Sequence, residues 1–388
     1  MNVALDGMPL AAQLTGVGHY TFELARSLAL VAPNDDFTLV SPLPVTPETL
    51  DVIEARSPAN LSHSNLKRRL LNRRWWSLGL PVYLRRTSFD LFHGTNYEVP
   101  LWSSVPSVMT IHDLSLLLHP EAHEPYLVRR ARRRLPLMAR AASVIVTPTA
   151  SVKNEVCERL GIKSEKVVVT AEAPRSVFKK QKIEASLKLR ERLGIRDDFI
   201  LFVGTIEPRK NLERLVQAFD QVLRTTSLSP QLVIAGAKGW LMDDFCSLIR
   251  GRGLEDRICF TGYLHDADLC SLYSSCGVFV YPSLYEGFGL PPLEAMACGA
   301  PVIASRIPSI METVEKAARL IDPYSVEDLA GGLVEMLSNE EGRKAIAELD
   351  QATIDGRTIK VMEARPKEEK PRDFNPFRNK NSGGYKQS

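Results

Sequence analysis

Three features that define specialised protein classes are missing from this sequence. Its six cysteines are scattered without a Cys-x-x-Cys pair, which argues against a disulfide framework or a zinc site and favours reduced thiols in the cytosol. No apolar run reaches the roughly 18 residues that a membrane-spanning helix needs. The first six residues already contain an acid, too early for a signal peptide. We therefore expect a cytoplasmic protein that is soluble or attached peripherally to the inner face of a membrane.

The chain also has little net charge, with a formal value of +3 over 388 residues. Its composition, 44% hydrophobic and 24% charged, is typical of soluble globular proteins, and the length suggests two domains. The charge is unevenly distributed, because residues 61–140 contain 13 Lys and Arg against 5 Asp and Glu. The basic residues are concentrated in segments 67–76, where Leu and Trp stand among them, and 129–134. Such segments suit an anionic membrane surface or a lipid-diphosphate acceptor, with nucleic acid and a solvated helix face as the alternatives.

Short apolar runs alternate with helical patterns along most of the chain, which predicts an α/β fold with parallel strands and crossover helices. A weaker, more charged stretch at residues 172–192 is predicted to link two domains. We assign residues 1–172 to a first domain, 173–332 to a second and 333–388 to an atypical C-terminal segment. The predicted strands are 3–5, 37–40, 91–92, 107–111, 143–146, 199–203, 231–235, 258–260, 278–280 and 301–304.

Residues 285–296, Tyr-Glu-Gly-Phe-Gly-Leu-Pro-Pro-Leu-Glu-Ala-Met, are the most informative segment. Glu286 and Glu294 are separated by a Gly-Phe-Gly turn between a predicted strand and a predicted helix at residues 291–298. A helix N-terminus after a glycine turn suits an anionic group, because free backbone N–H groups point outward there. Two carboxylates beside that site suit the vicinal hydroxyls of a ribose and a hexose. A glycosidase with an acid and a nucleophile is the competing interpretation.

This segment resembles the paired-glutamate motif of retaining glycosyltransferases of family 4. The resemblance covers about residues 1–330 and implies the GT-B architecture, two doubly wound Rossmann-like domains facing a cleft. It implies that Glu294 holds the ribose hydroxyls of the donor and Glu286 those of the transferred sugar. The backbone of Gly287, Phe288 and Gly289 is expected to approach the diphosphate or the sugar, because a residue without Cβ permits close approach.

Arg209 and Lys210 lie in residues 204–211, Gly-Thr-Ile-Glu-Pro-Arg-Lys-Asn, between a strand and a helix. Taken alone they could be a solvated helix start, but cations there can also meet a diphosphate. The family resemblance implies that both bind the donor's diphosphate and stabilise the leaving nucleotide. Thr205 departs from the arginine that many relatives carry directly after the glycine.

Other predicted site residues come from weaker motifs. Gly16 and Gly18 form a glycine turn before a predicted helix at residues 19–30, and the resemblance places that loop over the donor phosphates. His112 follows a strand and would contact the transferring sugar, although a structural histidine fits as well. Gly262 and Tyr263 would lie near the nucleotide base or form a simple turn. Residues 93–97, His-Gly-Thr-Asn-Tyr, are a candidate for the acceptor side.

The resemblance implies hexose transfer, with mannose as the sugar and GDP-mannose as the donor, and with retention of anomeric configuration. The expected acceptor is a glycan or a lipid-diphosphate-linked sugar in polysaccharide biosynthesis. No cofactor or metal is expected, since the first domain has no Asp-x-Asp motif and this architecture usually works without one. RNA is not expected as a partner.

The C-terminal segment departs from the family, whose last helix usually crosses back to the first domain. Residues 333–336, 341–350 and 354–367 instead resemble the strand, helix and final strand of half an RNA recognition motif, followed by a tail with a composition typical of disorder. A fusion near residue 333 and a divergent helical end are both compatible with this pattern. The alternatives for function are a non-catalytic RNA-binding protein and a GT-B glycoside phosphorylase. The sequence leaves the sugar, nucleotide, acceptor, linkage and oligomeric state open.

Overall fold

Two parallel β-sheets with covering helices organise the computed structural model of the chain. The structure describes residues 1–12, 14, 16–66, 74–196, 198–237, 242–314 and 317–338, together with the short strands at 353–354 and 357–358. Each sheet with its helices forms one domain, here called the N-terminal and the C-terminal domain. The predicted domain boundaries at residues 172 and 332 stay predictions.

The N-terminal domain contains a seven-stranded parallel sheet among the described residues, in the order β3-β2-β1-β4-β5-β6-β7. Its strands are β1 (Asn2–Asp6), β2 (Asp36–Ser41), β3 (Leu61–Asn65), β4 (Leu91–Gly94), β5 (Ser107–Thr110), β6 (Val144–Thr147) and β7 (Val167–Val169). Its helices are α1 (Gly16–Val31), α2 (Pro47–Arg56), α3 (Leu80–Arg86), α4 (Ser115–Leu118), α5 (Pro125–Ala141) and α6 (Ala150–Leu160).

The C-terminal domain repeats the plan with a six-stranded parallel sheet in its described part, ordered β10-β9-β8-β11-β12-β13. The strands are β8 (Phe199–Val203), β9 (Gln231–Ala235), β10 (Ile258–Gly262), β11 (Val278–Tyr281), β12 (Val302–Ser305) and β13 (Arg319–Ile321). The helices are α7 (Ile183–Leu193), α8 (Leu212–Thr225), α9 (Met242–Gly251), α10 (Asp266–Ser275), α11 (Leu290–Ala297), α12 (Pro308–Val314) and α13 (Val326–Ser338). A short antiparallel pair, β14 (Thr353–Ile354) and β15 (Arg357–Thr358), follows.

The apolar runs in the sequence become the central strands because a parallel sheet is covered by helices on both faces. Every residue of β9, β11 and β12 is buried, and they form part of one continuous core with α8 and α13. All ten predicted strands are present to within one or two residues. Of the described strands in the two parallel sheets, three were missed. β3 is mostly polar and lies at the edge of its sheet, and β7 and β13 have only three residues each.

Three local predictions need correction. Gly16 and Gly18 lie in the first turn of α1 rather than in a turn before it, so the helix begins three residues earlier than predicted. The predicted linker contains α7, which contacts α10. Residues 333–336, expected to form a strand, belong to α13, because Leu329, Leu333 and Met336 recur at helical spacing and bury one face.

The rest of the half RNA recognition motif falls almost wholly on residues 339–388, of which only β14 and β15 are described. The predicted helix at 341–350 and the tail therefore lie outside the described residues. The same holds for residues 67–73 of the first basic segment.

Both sheets change winding direction between two neighbouring strands, β1 and β4 in the first sheet and β8 and β11 in the second. Open α/β sheets bind ligands in the crevice at the carboxyl ends of such strands, since the loops diverge there. The loop after β8 carries Arg209 and Lys210, and the loop after β11 carries Glu286. The topology thus brings the two strongest sequence motifs to one crevice.

Candidate active site

Arg209, Lys210 and Glu286 form a buried charged cluster at this crevice. Lys210 Nζ donates to Glu286 Oε1 at 2.5 Å, and Arg209 Nη1 donates to Glu286 Oε2 at 3.0 Å, so each carboxylate oxygen holds one cation. Lys210 and Glu286 are 7% and 8% exposed. The Lys210 ammonium also donates to the Tyr281 hydroxyl at 2.8 Å and lies 4.9 Å from the centroid of that ring. The two sequence motifs predicted to share the donor site are therefore in direct contact.

Electrostatics fix the protonation of this cluster. Burial alone would raise the pKa of Glu286, but Lys210 and Arg209 outweigh it and hold that pKa at about 2. Burial and the neighbouring Arg209 lower the pKa of Lys210, although Glu286 opposes them. Burial would lower the pKa of Arg209, yet Glu286 and Glu207 raise it. Glu286 is therefore ionised throughout the neutral range and binds both cations as an anion.

The cluster still has hydrogen-bond capacity for a ligand. Arg209 uses Nη1 for Glu286 and for the Tyr285 carbonyl, and its Nε lies 2.7 Å from Glu207 Oε1. Within the described part of the chain, Nη2 of Arg209 has no partner, and Lys210 Nζ uses two of its three N–H groups. These donors suit phosphate oxygens, which pair well with guanidinium and ammonium groups.

The glycine turn after Glu286 is shaped by close backbone approach. A Cβ on Gly287 would lie 1.8 Å from the carbonyl oxygen of His112 in the other domain. Gly289 has φ +97°, and a Cβ there would lie 2.4 Å from Cδ1 of Ile310. Phe288 between them is buried. In the structure these two positions need glycine because other parts of the protein lie against them. Their predicted approach to the donor stays a prediction.

His112 follows β5 and faces the same region from the N-terminal domain. Its Nε2 donates to the Thr95 carbonyl at 2.9 Å, and its Nδ1 lies 3.2 Å from Glu172 Oε1. Burial alone would lower the pKa of His112, but Glu172 and the Thr95 carbonyl raise it above its usual range. Both nitrogens face acceptors, so the doubly protonated ring satisfies both contacts.

Residues 93–97 surround His112 at the ends of β4 and β5. His93 Nε2 lies 2.9 Å from Thr110 Oγ1, and burial lowers the pKa of His93 to about 4, so this histidine is neutral. Tyr97 adopts φ 59° and donates its hydroxyl to Asp113 Oδ1 at 3.1 Å. Its ring centroid is 5.9 Å from that of His112. The cluster expected on the acceptor side therefore borders His112.

Glu294 lies one helical turn into α11 beside a bidentate ion pair. Arg175 contacts both carboxylate oxygens of Asp266 at 2.6 Å. Burial raises the pKa of Glu294 to about 7, while Arg175 acts in the opposite direction. Its Oε2 is 3.5 Å from the Tyr273 hydroxyl, a weak contact. Glu294 thus keeps a poorly partnered carboxyl group, as its predicted contact with a ribose would require.

The remaining predicted residues lie around α1. A Cβ on Gly18 would meet Leu14 and the Pro9 carbonyl at about 3 Å, whereas Gly16 borders open space. Gly262 has φ +70°, and the Tyr263 hydroxyl donates to the Leu14 carbonyl at 3.4 Å. No hydrogen bond joins these residues to the Arg209 cluster within the described residues. Tyr20, two residues after Gly18, connects α1 to His112 through an edge-on ring contact at 4.6 Å.

The two domains are joined directly beside the cluster. The Tyr285 hydroxyl accepts from the Leu114 backbone at 2.9 Å and donates to Glu155 Oε2 at 2.6 Å. Thr149 Oγ1 donates to the Gly287 carbonyl at 3.0 Å. The Glu312 carboxylate accepts from the backbone N–H groups of residues 150 and 151, both at 2.7 Å, and so caps α6 from the opposite domain. The loop after β11 and the domain interface therefore share residues 285–287.

Several of these partners were missed by sequence reasoning. Glu172 follows β7, whose Val167-Val-Val169 run was available as a strand signal. Glu207 stands two residues before Arg209 within the recognised motif. Tyr285, although quoted in the motif, gave no sign of its hydroxyl partners, and Glu312 and Thr149 carry no local signal, because their role arises from the apposition of two domains.

In the residues that the structure describes, no group of three or more His, Cys, Asp or Glu side chains is placed to hold a metal ion. No helix in that part of the chain is long and apolar enough to cross a membrane.

Two protein-family models match the chain. The model "Glycosyltransferase Family 4" matches residues 14–171, and the model "Glycosyl transferases group 1" matches residues 186–351. Together with the two Rossmann-like domains and the charged crevice, these matches define the chain as a glycosyltransferase of the GT-B architecture. The second match runs to residue 351, past the junction predicted near residue 333. The resemblance of the C-terminal segment to an RNA recognition motif gains no support.

Individual proteins give a finer comparison. The chain is 29% identical to O-antigen chain mannosyltransferase B of Escherichia coli over 356 residues, covering 89% of this chain and 92% of that protein. It is 32% identical to the serotype-specific mannosyltransferase WbdA of Escherichia coli over 65% of this chain, but spans only 32% of that protein. Among solved structures it is similar to HepE from Anabaena in complex with UDP-glucose, with a TM-score of 0.68 at 20% identity, covering 89% and 92% of the two chains.

Proposed function

We propose that this chain transfers a hexose, mannose, from a nucleotide-diphosphate sugar to a glycan or lipid-linked acceptor in polysaccharide biosynthesis, with retention of anomeric configuration. The observation that carries the proposal is the buried contact of Arg209 and Lys210 with Glu286 at the crevice of the second sheet. Mannose is supported by the names of two relatives of the chain, both mannosyltransferases, and GDP-mannose is the donor that we propose with it.

In this proposal the cations act on the leaving group. Breaking the glycosyl–phosphate bond builds negative charge on the diphosphate, and preorganised cations in a site with little water stabilise that charge without reorganising. Nη2 of Arg209 and the remaining N–H of Lys210 are the donors available for it. Glu286 fixes both cations in place and presents its carboxylate edge to hydroxyls of the sugar.

Residues of the N-terminal domain would complete the site. His112 lies where Gly287 meets the N-terminal domain, and its two ring nitrogens face the Thr95 carbonyl and Glu172. Its imidazolium would therefore act on the transferring sugar as a nearby positive charge. Glu294 would bind the ribose, and residues 262–263 would bind the base.

We propose that the acceptor attacks from the face of the leaving group, with a diphosphate oxygen taking its proton. Since protein cations stabilise the leaving group, we expect activity that resists EDTA.

The test uses the full chain with GDP-mannose, UDP-glucose and ADP-glucose, and measures release of the nucleoside diphosphate. This readout needs no knowledge of the acceptor, because glycosyltransferases hydrolyse donors slowly in its absence. We expect release from GDP-mannose, with the liberated mannose formed first as the α anomer in proton NMR spectra. Release from UDP-glucose alone would contradict mannose, and an initial β anomer would contradict retention. The phosphorylase alternative needs a separate reaction of a glycan with inorganic phosphate and no nucleotide, in which release of hexose 1-phosphate would identify a phosphorylase.

A further inference from the structure

A second cavity lies at the carboxyl edge of the N-terminal sheet, away from the Arg209 cluster. It has a volume of about 670 Å³ and is bounded by the loops after β1 and β2, the start of the π-helical segment Trp75–Gly79, and one side of α5. Ligands of open parallel sheets bind at this edge, and binding pockets typically have volumes of about 300–1,000 Å³. The cavity therefore has the position and size of a ligand site.

One wall of the cavity is strongly basic. Four arginines of α5 line it: Arg129, Arg130, Arg133 and Arg134. Residues four apart lie on the same face of a helix, so 129 and 133 are neighbours, as are 130 and 134. Glu98 neutralises part of this charge, with Oε1 lying 2.7 Å from Nη2 of Arg130 and 3.2 Å from Nη1 of Arg134. Arg129 and Arg133 are exposed and have no ion-pair partner among the described residues. Two guanidinium groups are thus available for an anion.

Much of the remaining lining of the cavity is apolar. The side chains of Trp75 and Trp76 line the cavity while being only 5% and 6% exposed, and Trp76 packs edge-on against Phe92 at 6.3 Å. Leu43 adds a side chain that is 46% exposed. Rigid tryptophan walls facing paired arginines suit a ligand with an anionic head and an apolar part. Inorganic anions alone would leave the apolar wall without a contact.

The cavity is connected to the reaction side of the N-terminal domain. Met8 lines it, and the Met8 backbone donates to Asp6 Oδ1 at 3.0 Å. The Asp6 carbonyl in turn accepts from Thr95 Oγ1 at 3.2 Å, and the Thr95 carbonyl accepts from His112 Nε2. A chain of hydrogen bonds through Asp6 and Thr95 therefore links the cavity wall at Met8 to His112.

We infer that this cavity binds the acceptor through a phosphate or diphosphate group held by Arg129 and Arg133, with an apolar portion of the acceptor against Trp75 and Trp76. The inference rests on the proposed function, because it assigns an anionic, partly apolar acceptor class to that transfer. Planar guanidinium groups match phosphate oxygens in bidentate geometry, so two of them give both affinity and orientation.

The experiment measures binding of farnesyl diphosphate and inorganic pyrophosphate to the full chain by calorimetry. GDP is kept at saturation, so that diphosphate binding at Arg209 and Lys210 does not contribute. The variants are Arg129→Ala/Arg133→Ala and the matched control Arg132→Ala, which removes one exposed arginine of the same helix outside this cavity. We expect the double variant to weaken farnesyl diphosphate binding by about tenfold or more while the control keeps native affinity. Pyrophosphate should bind more weakly than farnesyl diphosphate.

Native affinity in the double variant, or no binding of farnesyl diphosphate by the native chain under these conditions, would overturn the assignment. A third arm uses vesicles of phosphatidylglycerol and phosphatidylcholine. Loss of vesicle binding with unchanged farnesyl diphosphate binding would make the arginines a membrane surface and also overturn the cavity site. Thermal unfolding of each variant confirms its fold. Donor hydrolysis by the native chain separates the two proposals, since its absence contradicts the proposed function whatever binds to the cavity.

Discussion

At the scale of single residues, Glu286 is the centre of the candidate site, because its carboxylate pairs with the buried Lys210 and with Arg209, whose side chain is 16% exposed. Replacement by Gln keeps the shape but leaves Lys210 and Arg209 buried beside a neutral group. Breaking a buried ion pair in this way typically costs about 3–5 kcal/mol. We expect Glu286→Gln to lower the free energy of unfolding by that order in urea titrations. The matched control is Glu335→Gln, which breaks an ion pair with Arg319 whose Glu335 side chain is 56% exposed, and exposed pairs contribute at most about 1 kcal/mol.

The pH dependence of the free energy of unfolding tests the same ion pairs of Glu286. The pKa of Glu286 is lowered in the folded chain to about 2 from an ordinary value of 4.5. Its stabilisation is therefore complete above pH 4.5 and is lost as the pH falls from 4.5 towards 2. The difference in stability between the native chain and Glu286→Gln should shrink over that window. A constant difference down to pH 2 would contradict the ion-pair account.

The pKa of His112 is raised by Glu172, whereas that of Glu286 is lowered, so the two residues affect stability in different pH ranges. A raised pKa stabilises the fold fully below the unfolded value of 6.5, and this stabilisation is lost as the pH rises through the folded value. Glu172→Gln should lower the pKa of His112, because burial then acts with less opposition. NMR titration of the imidazole resonances measures this directly. An unchanged titration midpoint would show that Glu172 does not control the charge of His112.

Gly287 shows what the sequence can and cannot predict about a site residue. Its lack of a side chain predicted close approach to the donor, which stays a prediction, and the atom that it approaches in the structure is the His112 carbonyl oxygen of the other domain. Local sequence contains no information on that apposition. Gly287→Ala should separate the two loops, destabilise the fold by about 1–3 kcal/mol and slow donor hydrolysis. Gly251→Ala, where a Cβ meets nothing within 4 Å, is the control, and equal effects of both changes would refute the steric argument.

At the scale of secondary-structure elements, α6 is capped by two residues with different origins. Thr149 caps it locally through the Val152 N–H, and Glu312 caps it from α12 of the other domain. Glu312→Ala should leave two backbone N–H groups at the start of α6 unpaired and cost about 1–2 kcal/mol. Hydrogen exchange at residues 150 and 151 should accelerate, while exchange in the middle of α6 stays slow. Unchanged exchange at both positions would show that the contact contributes nothing to the interface.

The elements also show where sequence prediction is effective. Long apolar strands such as β8 and β9 are predicted because burial on both faces requires an unbroken hydrophobic run. The edge strand β3 and the three-residue strands lack that signal. The wrong strand at residues 333–336 came from resemblance, although the helical spacing of Leu329, Leu333 and Met336 was present in the sequence.

At the scale of the whole molecule, two domains of similar topology face each other. In each sheet the strand order reverses at one point, between β1 and β4 or between β8 and β11, and the loops at these points border the cleft. The charged cluster of the second domain and His112 of the first meet around Gly287, so the interface is part of the site. The class of fold followed from sequence, and the sequence motifs that carry Arg209, Lys210 and Glu286 do meet at one crevice. The role of these residues in donor binding stays a prediction. The tethers through Tyr285, Thr149 and Glu312 could not, because they depend on how two separately predictable domains are oriented.

The most direct test of the central claim is hexose transfer or donor hydrolysis from GDP-mannose by Lys210→Ala under single-turnover conditions. Lys163→Ala, which removes a lysine whose side chain is 84% exposed, serves as the control. If Lys210 stabilises the leaving diphosphate, the variant should react at least about a hundredfold more slowly than the native chain, with its fold and the control activity preserved. A folded Lys210→Ala variant that reacts at the native rate would contradict the account.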